Sequence, residues 1–394
     1  MKLTIVVNAV SSKSGGAATY LQNLIVALAN SRHRYVVFVP ETTGRPVSGA
    51  ANVTLVATGI GYKPWWSRLF WDQVTLRRIV KTNRADVLLS SSDFGMLWPP
   101  CKQILLIRNP LFFSQLYADH IWPHKSRTFK LEFLLRRWLV TLSAKSSDLV
   151  MTASHSMRND ARKVLSIPET KIAVNYFGVP SQRFPSLTAV STSPGGAGNP
   201  PFKMLFVSEY SDYKNLTTLL RAALMLREQG NAEFRLIATA DPSQRPSEDL
   251  VTRQEDLALT GHPLLTPVLQ YTGPVAYGEI PRLYAQSDLF VFPSLAESFA
   301  HPLVEAMASG LPIIASDIPL CREICGDAAL YFDPLDHKEL AVRVRTLWQD
   351  AKLRQRLGAI GSKRAVEQFD WNDHVNRLVR AIEAVAGDLP RCAV

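Results

Sequence analysis

Two glutamates eight positions apart follow an apolar segment that reads as a buried strand. Glu297 lies in the loop after that strand, and Glu305 lies in the first turn of a predicted helix that begins with Pro302. Proline suits the first helical position because its missing N–H would have no partner there. The N–H groups of Leu303 and Val304 would then be free to bind an anion.

These residue types favour the binding of a phosphorylated, hydroxyl-rich molecule. A helix N-terminus attracts a diphosphate, because its unpaired N–H groups and its dipole both point at the anion. Glu305 can accept hydrogen bonds from two vicinal hydroxyls, as on a ribose, and Glu297 can accept them from hexose hydroxyls. The alternative is structural: Glu297 caps its loop and Glu305 complements the helix dipole. The spacing alone does not decide between the two.

A second set of candidate residues follows strands in the first half of the chain. Gly15 and Gly16 open a helix after the first predicted strand, where glycine lets the backbone approach a phosphate or sugar closely, or simply forms a tight turn. The stretch is not a Gly-x-Gly-x-x-Gly fingerprint, so a dehydrogenase is poorly supported. Arg108 and Asn109 follow another strand; Arg108 can contact an anion, or is an exposed loop arginine. His155, after a further strand, is a loop or cap residue or a ligand-binding one.

Strands alternate with helices throughout, which predicts α/β domains with parallel, doubly wound sheets. We expect a first domain over residues 1–185, a Ser/Pro/Gly-rich linker over 186–201 and a second domain over 202–371. The apolar face of a last helix, within 372–394, either caps its own domain or packs on the first. The predicted strands are Leu3–Val10, Tyr35–Pro40, Val53–Ala57, Val87–Ser90, Gln103–Ile107, Leu149–Thr152, Ile172–Asn175, Met204–Val207, Phe234–Ala238, Val268–Tyr271, Leu289–Phe292 and Pro312–Ala315.

Charge is distributed unevenly along the chain. Residues 1–185 carry 24 Lys and Arg against 9 Asp and Glu, whereas residues 186–394 carry 20 against 25. The first half is therefore expected to face something anionic: a membrane surface, a phosphorylated acceptor or nucleic acid.

Aromatic and basic residues interleave at helical spacing between Trp122 and Leu139. Such a helix can lie on an anionic bilayer, or can face the core with a solvated basic side. Four further aromatic residues extend the predicted patch: Trp65, Trp66, Phe112 and Phe113.

The N-terminus and the cysteines favour a cytoplasmic protein. The apolar start is short and is interrupted by Asn8, so a buried first strand fits better than a signal peptide. No run of about 18 uncharged apolar residues predicts a spanning helix. The four cysteines are scattered without paired metal-ligand spacing, so we expect reduced thiols and no metal.

The stretch from Pro293 to Pro312, with Glu297-x7-Glu305 inside it, closely resembles the signature of the family 4 retaining glycosyltransferases, which have the GT-B fold of two Rossmann-like domains facing across a cleft. The resemblance covers most of residues 203–335. It includes the stretches Thr272–Val275, Leu283–Asp288, Ala315–Pro319 and Gly326–Ala329.

The resemblance implies a role for each residue of the motif. Glu305 would bind the donor ribose and Glu297 the transferred sugar, while the amides near Leu303 and Val304 would hold the diphosphate. Transfer would retain the anomeric configuration by a same-face mechanism assisted by the leaving phosphate. Most of the family needs no metal, and this chain has no Asp-x-Asp motif; no cofactor is expected besides the nucleotide-sugar donor.

Three other positions match the family less uniformly. Lys214, at the family's Lys-Asn position, would neutralise charge on the leaving diphosphate, although a solvated surface lysine is the alternative. Glu209 stands near the place of a usual arginine, where a carboxylate would repel a diphosphate unless it turns away. Arg108 and Asn109 replace a common histidine, and His155 matches only loosely. The family's Gly-Gly loop touches donor phosphate or acceptor.

The resulting hypothesis is a metal-independent, retaining hexosyltransferase. It would move sugar from a nucleotide-diphosphate sugar to a glycan, a lipid-linked or a phosphorylated acceptor, in surface polysaccharide or glycolipid biosynthesis, peripherally at the inner face of the membrane. One alternative is a catalytically silent GT-B scaffold or partner subunit. A nucleic-acid binder is the other, but the chain lacks any recognised binding motif, so no nucleic-acid partner is expected.

Overall fold

The computed structural model describes residues 1–13, 15–41, 50–91, 93–184, 201–230, 233–244 and 250–387. By their contacts these residues form two compact units. Unit 1 comprises Met1–Phe113, Leu131–Phe177 and the segment from Asn372, and unit 2 comprises Ser114–Lys130 and Gly178–Trp371. Residues 186–200 of the predicted linker lie outside the described residues, so the predicted domain boundaries stay predictions.

The sheet of unit 1 has seven parallel strands in the order β3-β2-β1-β4-β5-β6-β7. Its strands are β1 Thr4–Asn8, β2 Arg34–Pro40, β3 Val53–Thr58, β4 Val87–Ser90, β5 Lys102–Leu106, β6 Leu149–Thr152 and β7 Ile172–Val174. The apolar start of the chain is central: Val6 pairs with Val36 on one side and Leu88 on the other. Near-continuous apolar runs of this kind suit strands covered by helices on both faces.

The described residues of the first part of the chain form six α-helices. They are α1 Gly15–Leu28, α2 Trp65–Gln73, α3 Thr75–Thr82, α4 Gln115–His120, α5 Arg127–Ser146 and α6 His155–Leu165. In α1 three leucines at helical spacing share one buried face, with Leu21, Leu24 and Leu28 each about 1% exposed. Two members of the predicted aromatic patch, Phe112 and Phe113, are also buried in the core, because they pack with the inner side of α5. They do not extend a surface patch as the sequence suggested.

The sheet of unit 2 has six parallel strands in the order β10-β9-β8-β11-β12-β13. Its strands are β8 Phe202–Phe206, β9 Phe234–Ala238, β10 Leu269–Tyr271, β11 Leu289–Phe292, β12 Ile313–Ser316 and β13 Ala329–Phe332. Its helices are α7 Leu216–Glu228, α8 Arg253–Thr260, α9 Ile280–Ala285, α10 His301–Ala308, α11 Pro319–Cys325, α12 His337–Gln349 and α13 Ala351–Gln368. The α/β class and the two doubly wound sheets are confirmed; β13 was not predicted.

Strand order reverses direction once in each sheet, between β1 and β4 in unit 1 and between β8 and β11 in unit 2. At such a switch point the connections leave towards opposite faces of the sheet, and a crevice opens beyond the carboxyl ends of the two strands. The loops that follow these strands are therefore the places to look for a ligand site.

The last helix, α14 (Trp371–Ala386), packs within unit 1 through its apolar face and through polar contacts. Asn175 Nδ2 donates to the His374 carbonyl oxygen at 3.2 Å, and Arg377 Nε donates to Asn175 Oδ1 at 3.0 Å. Near its end, Glu383 Oε1 lies 2.8 Å from His33 Nε2. Contacts at both ends of the helix fix its position on this unit.

Candidate functional site

Two loops meet at the switch point of unit 2. The turn after β8 ends in Lys214, and the loop after β11 carries Glu297. A backbone hydrogen bond joins the loops, because the Leu295 N–H donates to the Tyr213 carbonyl oxygen at 2.8 Å. Asn215, whose φ of 58° lies in the left-handed region that asparagine tolerates, adds a second link. Its Nδ2 donates to the carbonyl oxygens of Pro293 (3.0 Å) and Pro334 (2.7 Å).

These links bring Lys214 and Glu297 together. Lys214 Nζ lies 2.5 Å from Glu297 Oε1, and the two side chains are 15% and 10% exposed. Burial by itself lowers the pKa of Lys214, but the Glu297 carboxylate, Tyr213 and Glu209 outweigh it, so the pKa is raised above its ordinary value. The ammonium therefore stays charged at neutral pH, and its three donors can serve a second anion beside Glu297.

Glu209, the unusual carboxylate of this region, is exposed on the loop after β8. It acts on the same lysine, because its charge contributes to the raised pKa of Lys214. The Glu209 carboxylate is thus close enough to act on Lys214.

The start of α10 differs in detail from the sequence prediction. Ala300 has a φ of 61°, and the helix begins at His301, so Pro302 is its second residue rather than its first. The Leu303 N–H donates to the Ala300 carbonyl oxygen at 2.9 Å, because the left-handed residue closes a tight turn there. That amide is therefore occupied, contrary to the prediction, and its contact with a diphosphate and that of the Val304 amide stay predictions.

Glu305 is the fifth residue of α10, one residue further into the helix than predicted, and is 5% exposed. The Tyr284 hydroxyl lies 3.1 Å from Glu305 Oε2 and also 3.1 Å from the Pro302 carbonyl oxygen. Burial raises the pKa of Glu305 to about 7, against hydrogen bonds from Tyr284 and Tyr277 that lower it. A buried carboxyl poised in this way gains from hydroxyl donors, such as those of a ribose.

Three residues of this site were not predicted from the sequence: Tyr284, Tyr277 and Asn215. The available signal was the stretch Leu283–Asp288, which contributed to the family resemblance but was not connected to Glu305. Only the packing of α9 against α10 brings Tyr284 to the Glu305 carboxylate.

A buried ion pair supports the turn that carries Lys214. Lys125 Nζ donates to Asp212 Oδ2, and the two side chains are 5% and 3% exposed. Lys125 comes from the basic, aromatic stretch that the sequence linked to a membrane, so this lysine belongs to the core of unit 2 and not to a surface patch. Asp212 is two residues from Lys214, and the pair therefore anchors the turn.

In unit 1, Arg108 is held firmly beside the glycine loop. Its guanidinium carbon lies 4.7 Å from the Tyr20 ring centre and 5.5 Å from that of Phe177, and Nη2 lies 3.4 Å from the Gly16 carbonyl oxygen. Burial lowers the pKa of Arg108, while Tyr20 and Asp93 oppose that effect. The structure thus brings Arg108 and Gly16 together, and it holds the Arg108 side chain against two aromatic rings.

The other candidates of unit 1 have local structural roles in addition to any ligand contact. Gly15 has a φ of 55°, which glycine adopts without strain. Asn109 Oδ1 accepts a hydrogen bond from the Leu111 N–H at 3.0 Å and so caps a short helical turn. His155 is exposed at the first position of α6, whose cap is Ser154, and its ring meets Tyr176 edge-on at 5.7 Å. Their ligand-binding roles stay predictions.

Two features of the described residues concern cofactors and membranes. Within those ranges, no three His, Cys, Asp or Glu side chains are grouped as metal ligands would be. In the same part of the chain, no helix combines the length and the hydropathy needed to span a bilayer.

Comparison with known proteins identifies similar sequences and folds. Residues 193–364 match the family described as "Glycosyl transferases group 1", and residues 14–183 match "Glycosyltransferase Family 4". The O-antigen chain mannosyltransferase B of Escherichia coli is 26% identical over 247 residues, which span 61% of this chain and only 61% of that protein.

Solved structures share the fold at low sequence identity. The sucrose-phosphate synthase of Thermosynechococcus elongatus superposes with a TM-score of 0.77 at 16% identity, over 98% of this chain and 100% of that one. Anabaena HepE, solved in complex with UDP-glucose, superposes with a TM-score of 0.71 at 17% identity, over 97% of this chain and 100% of that one.

Proposed function

Because two family matches together account for most of its length, the chain belongs to the family 4 glycosyltransferases, and we propose that it is a retaining hexosyltransferase. It takes a nucleotide-diphosphate sugar as donor and needs no metal or other cofactor. The acceptor is a glycan, a lipid-linked or a phosphorylated molecule, and the product belongs to a surface polysaccharide or glycolipid. The observation that carries the proposal is the Lys214–Glu297 pair at the switch point of unit 2, with Glu305 on the helix that follows.

Donor binding is assigned to unit 2. Glu305 accepts the ribose hydroxyls, the N-terminal end of α10 near Val304 faces the diphosphate, and Glu297 accepts hydroxyls of the hexose. The UDP-glucose bound by HepE, a protein of the same fold, supports a nucleotide sugar as the donor class. The burial of Glu305 supports its role, because a buried carboxyl of raised pKa is stabilised by added hydroxyl donors.

The transfer step follows from these placements. The acceptor hydroxyl oxygen bonds to the anomeric carbon on the face from which the diphosphate departs, and the bond from that carbon to the phosphate oxygen breaks. The hydroxyl proton passes to the leaving phosphate oxygen. Lys214 stabilises the charge that develops on the diphosphate, and preorganised charge of this kind contributes about 10²–10³ in rate. Retention of configuration results from attack on that same face.

The acceptor is assigned to unit 1, where Arg108 lies beside Gly16. The excess of basic residues in the first half of the chain supports an anionic acceptor, an anionic membrane surface or both. We propose a cytoplasmic protein that binds the inner face of the membrane peripherally, since several apolar side chains of α2 and α5 are exposed.

A thermal-shift titration with UDP, GDP, ADP and dTDP tests the donor site. Wild type should be stabilised by one nucleotide, by about 2.7 kcal/mol at a hundredfold excess over Kd. Glu305→Gln should lose most of that stabilisation, whereas Glu228→Gln, which removes an exposed carboxyl of the same unit, should retain it. Failure of all four nucleotides to stabilise the wild-type chain would contradict the proposal.

A catalytically silent GT-B scaffold is the second candidate, and the exposed Glu209 beside Lys214 is the observation that favours it. The transferase and the scaffold predict different results for slow hydrolysis of the donor sugar. A transferase hydrolyses the donor that stabilises it and loses this activity in Glu297→Ala. A scaffold shows no hydrolysis in either chain, and Glu209→Arg then tests whether the carboxylate is the cause.

A further inference from the structure

A cavity of about 680 Å³ lies in unit 1; Arg108 and Gly16 do not line it, but Ala17, the residue after Gly16, does. Its walls come from α2, from α5 and from the start of α1 at Ala17. The volume is in the range of pockets for small organic ligands. On α2 the lining residues recur at helical spacing, and on α5 they do the same, so each helix turns one continuous face to the cavity. These residues are Trp65, Arg68, Leu69 and Asp72 on α2, and Glu132, Arg136 and Leu139 on α5.

The cavity combines positive charge with apolar walls. Lys13 and Lys63 line its mouth and are exposed, and Arg68 and Arg136 line it further along. Arg136 Nη1 lies 3.6 Å from Glu132 Oε1, so this acid is already matched by one of the cations. The remaining lysines favour an anionic ligand, and the apolar lining favours one with a hydrocarbon part.

The floor of the cavity is a buried carboxyl. Asp72 is 1% exposed, and its Oδ1 accepts a hydrogen bond from Asn8 Nδ2 at 2.8 Å. Oδ2 lies 3.6 Å from Arg68 Nε and, among the residues that the structure describes, accepts no hydrogen bond. Burial raises the pKa of Asp72 to about 6, against Arg68 and Asn8, which lower it. At neutral pH its carboxylate can therefore accept a hydrogen bond from a ligand hydroxyl.

The same two helices expose large apolar side chains next to the cavity-lining faces. On α2, Trp66 and Phe70 are 61% and 66% exposed, and on α5, Leu131 and Trp138 are 72% and 56% exposed. Leu134 and Leu135 on α5 are exposed as well. On α5 the four exposed residues recur at helical spacing and so form one stripe. Several large exposed apolar side chains are uncommon on a face that meets only water, and tryptophan with leucine beside basic residues suits the boundary of an anionic bilayer.

We propose that this cavity binds the phosphorylated head of a lipid-linked acceptor while the acceptor remains in the bilayer. The lysines at the mouth contact the phosphate, Asp72 accepts a hydroxyl, and the lipid chain lies along the exposed apolar faces of α2 and α5. The proposal rests on the proposed function, and among its acceptor classes it selects the lipid-linked one.

Vesicle co-sedimentation of the full chain tests this inference. Phosphatidylcholine vesicles carry either a polyprenyl phosphate or the same amount of negative charge as phosphatidylglycerol. Wild type should bind the polyprenyl phosphate vesicles at least about tenfold more tightly. Lys13→Ala/Lys63→Ala should lose this excess. The matched variant Lys81→Ala/Lys145→Ala, which removes two exposed lysines of unit 1 that do not line the cavity, should keep it.

A second variant separates the membrane surface from the cavity. Trp66→Ala/Trp138→Ala should weaken binding to both vesicle types alike, because it removes apolar anchors and no phosphate ligand.

Equal binding of wild type to both vesicle types, or equal losses in the two lysine variants, would overturn the inference. So would cavity-dependent binding of a soluble hexose phosphate that displaces the protein from vesicles, since it identifies a soluble acceptor. Nucleotide-induced stabilisation is followed in each variant. If the variants keep this stabilisation, a failed vesicle result contradicts the acceptor inference alone. If wild type itself lacks the stabilisation, the failure lies with the proposed function.

Discussion

Replacing Glu305 with glutamine should stabilise the protein at alkaline pH while it weakens donor binding. Burial raises the pKa of this carboxyl from 4.5 to about 7 in the folded chain. The folded state therefore binds the proton more tightly than the unfolded state, and stability falls as pH rises from the lower value to the higher. The full difference corresponds to about 3 kcal/mol, and about 2 kcal/mol of it develops between about pH 5.5 and pH 8.

Glu305→Gln cannot ionise and escapes this loss, so its stability relative to wild type should increase by about 2 kcal/mol over the same pH interval. Other groups that titrate there, such as Asp72, are present in both chains and cancel in the difference. Hydrogen exchange of peptides from β11 and α10, measured by mass spectrometry, reports the opening free energy of unit 2 separately from unit 1. Glu228→Gln removes an exposed carboxyl and should shift stability by less than about 0.5 kcal/mol at either pH.

The same substitution removes a charged acceptor of the ribose hydroxyls. Hydrogen bonds to charged groups contribute about 1.5–3 kcal/mol, so nucleotide affinity should fall by about 10- to 100-fold at pH 8. Stability and binding then move in opposite directions in one variant. If the stability difference between Glu305→Gln and wild type is the same at both pH values, the carboxyl is not destabilised by burial and the reasoning fails.

Three further outcomes follow from the structure. Lys214→Met should reduce kcat by about 10²–10³, since its charge acts on the leaving diphosphate; an unchanged kcat would refute that role. Lys125→Met should destabilise unit 2 by about 3–5 kcal/mol in urea unfolding because it leaves Asp212 buried without its cation, and Asp212→Leu in addition should restore most of the loss. Gly358→Ala should separate α10 from α13, because a Cβ there would lie 2.2 Å from the Gly310 carbonyl oxygen; a melting temperature equal to wild type would contradict it.

Local sequence was sufficient for most strands because they are short apolar runs bounded by turn residues. β4, β6, β9 and β11 begin and end at the predicted residues. The strand β13, Ala329–Phe332, was missed; only its two end residues are buried, whereas all four residues are buried in each of β4, β6 and β11. Periodicity likewise accounts for the buried leucine face of α1, since three leucines at helical spacing have only one way to be buried together.

The candidate site was predictable only in part. The loop with Glu297 and the helix with Glu305 were identified from residue types and from the resemblance. The raised pKa of Glu305 was not predicted, because it results from tertiary burial, and the two tyrosines that hydrogen-bond to the carboxyl, Tyr284 and Tyr277, lie outside the motif. The predicted free N–H of Leu303 was wrong because helix starts depend on the backbone conformation of one residue, Ala300, whose left-handed φ no local rule indicates for alanine.

The sequence by itself determined the fold class, the family and the residues that carry charge and hydroxyl-binding capacity, because these properties are local. Tertiary structure alone decided which of those residues meet. It placed Lys125 against Asp212 in the core rather than at a membrane, and it turned one face of α2 and α5 to a cavity and another to solvent. Periodicity fixes which residues share a helix face, but what that face meets depends on packing between segments far apart in the chain.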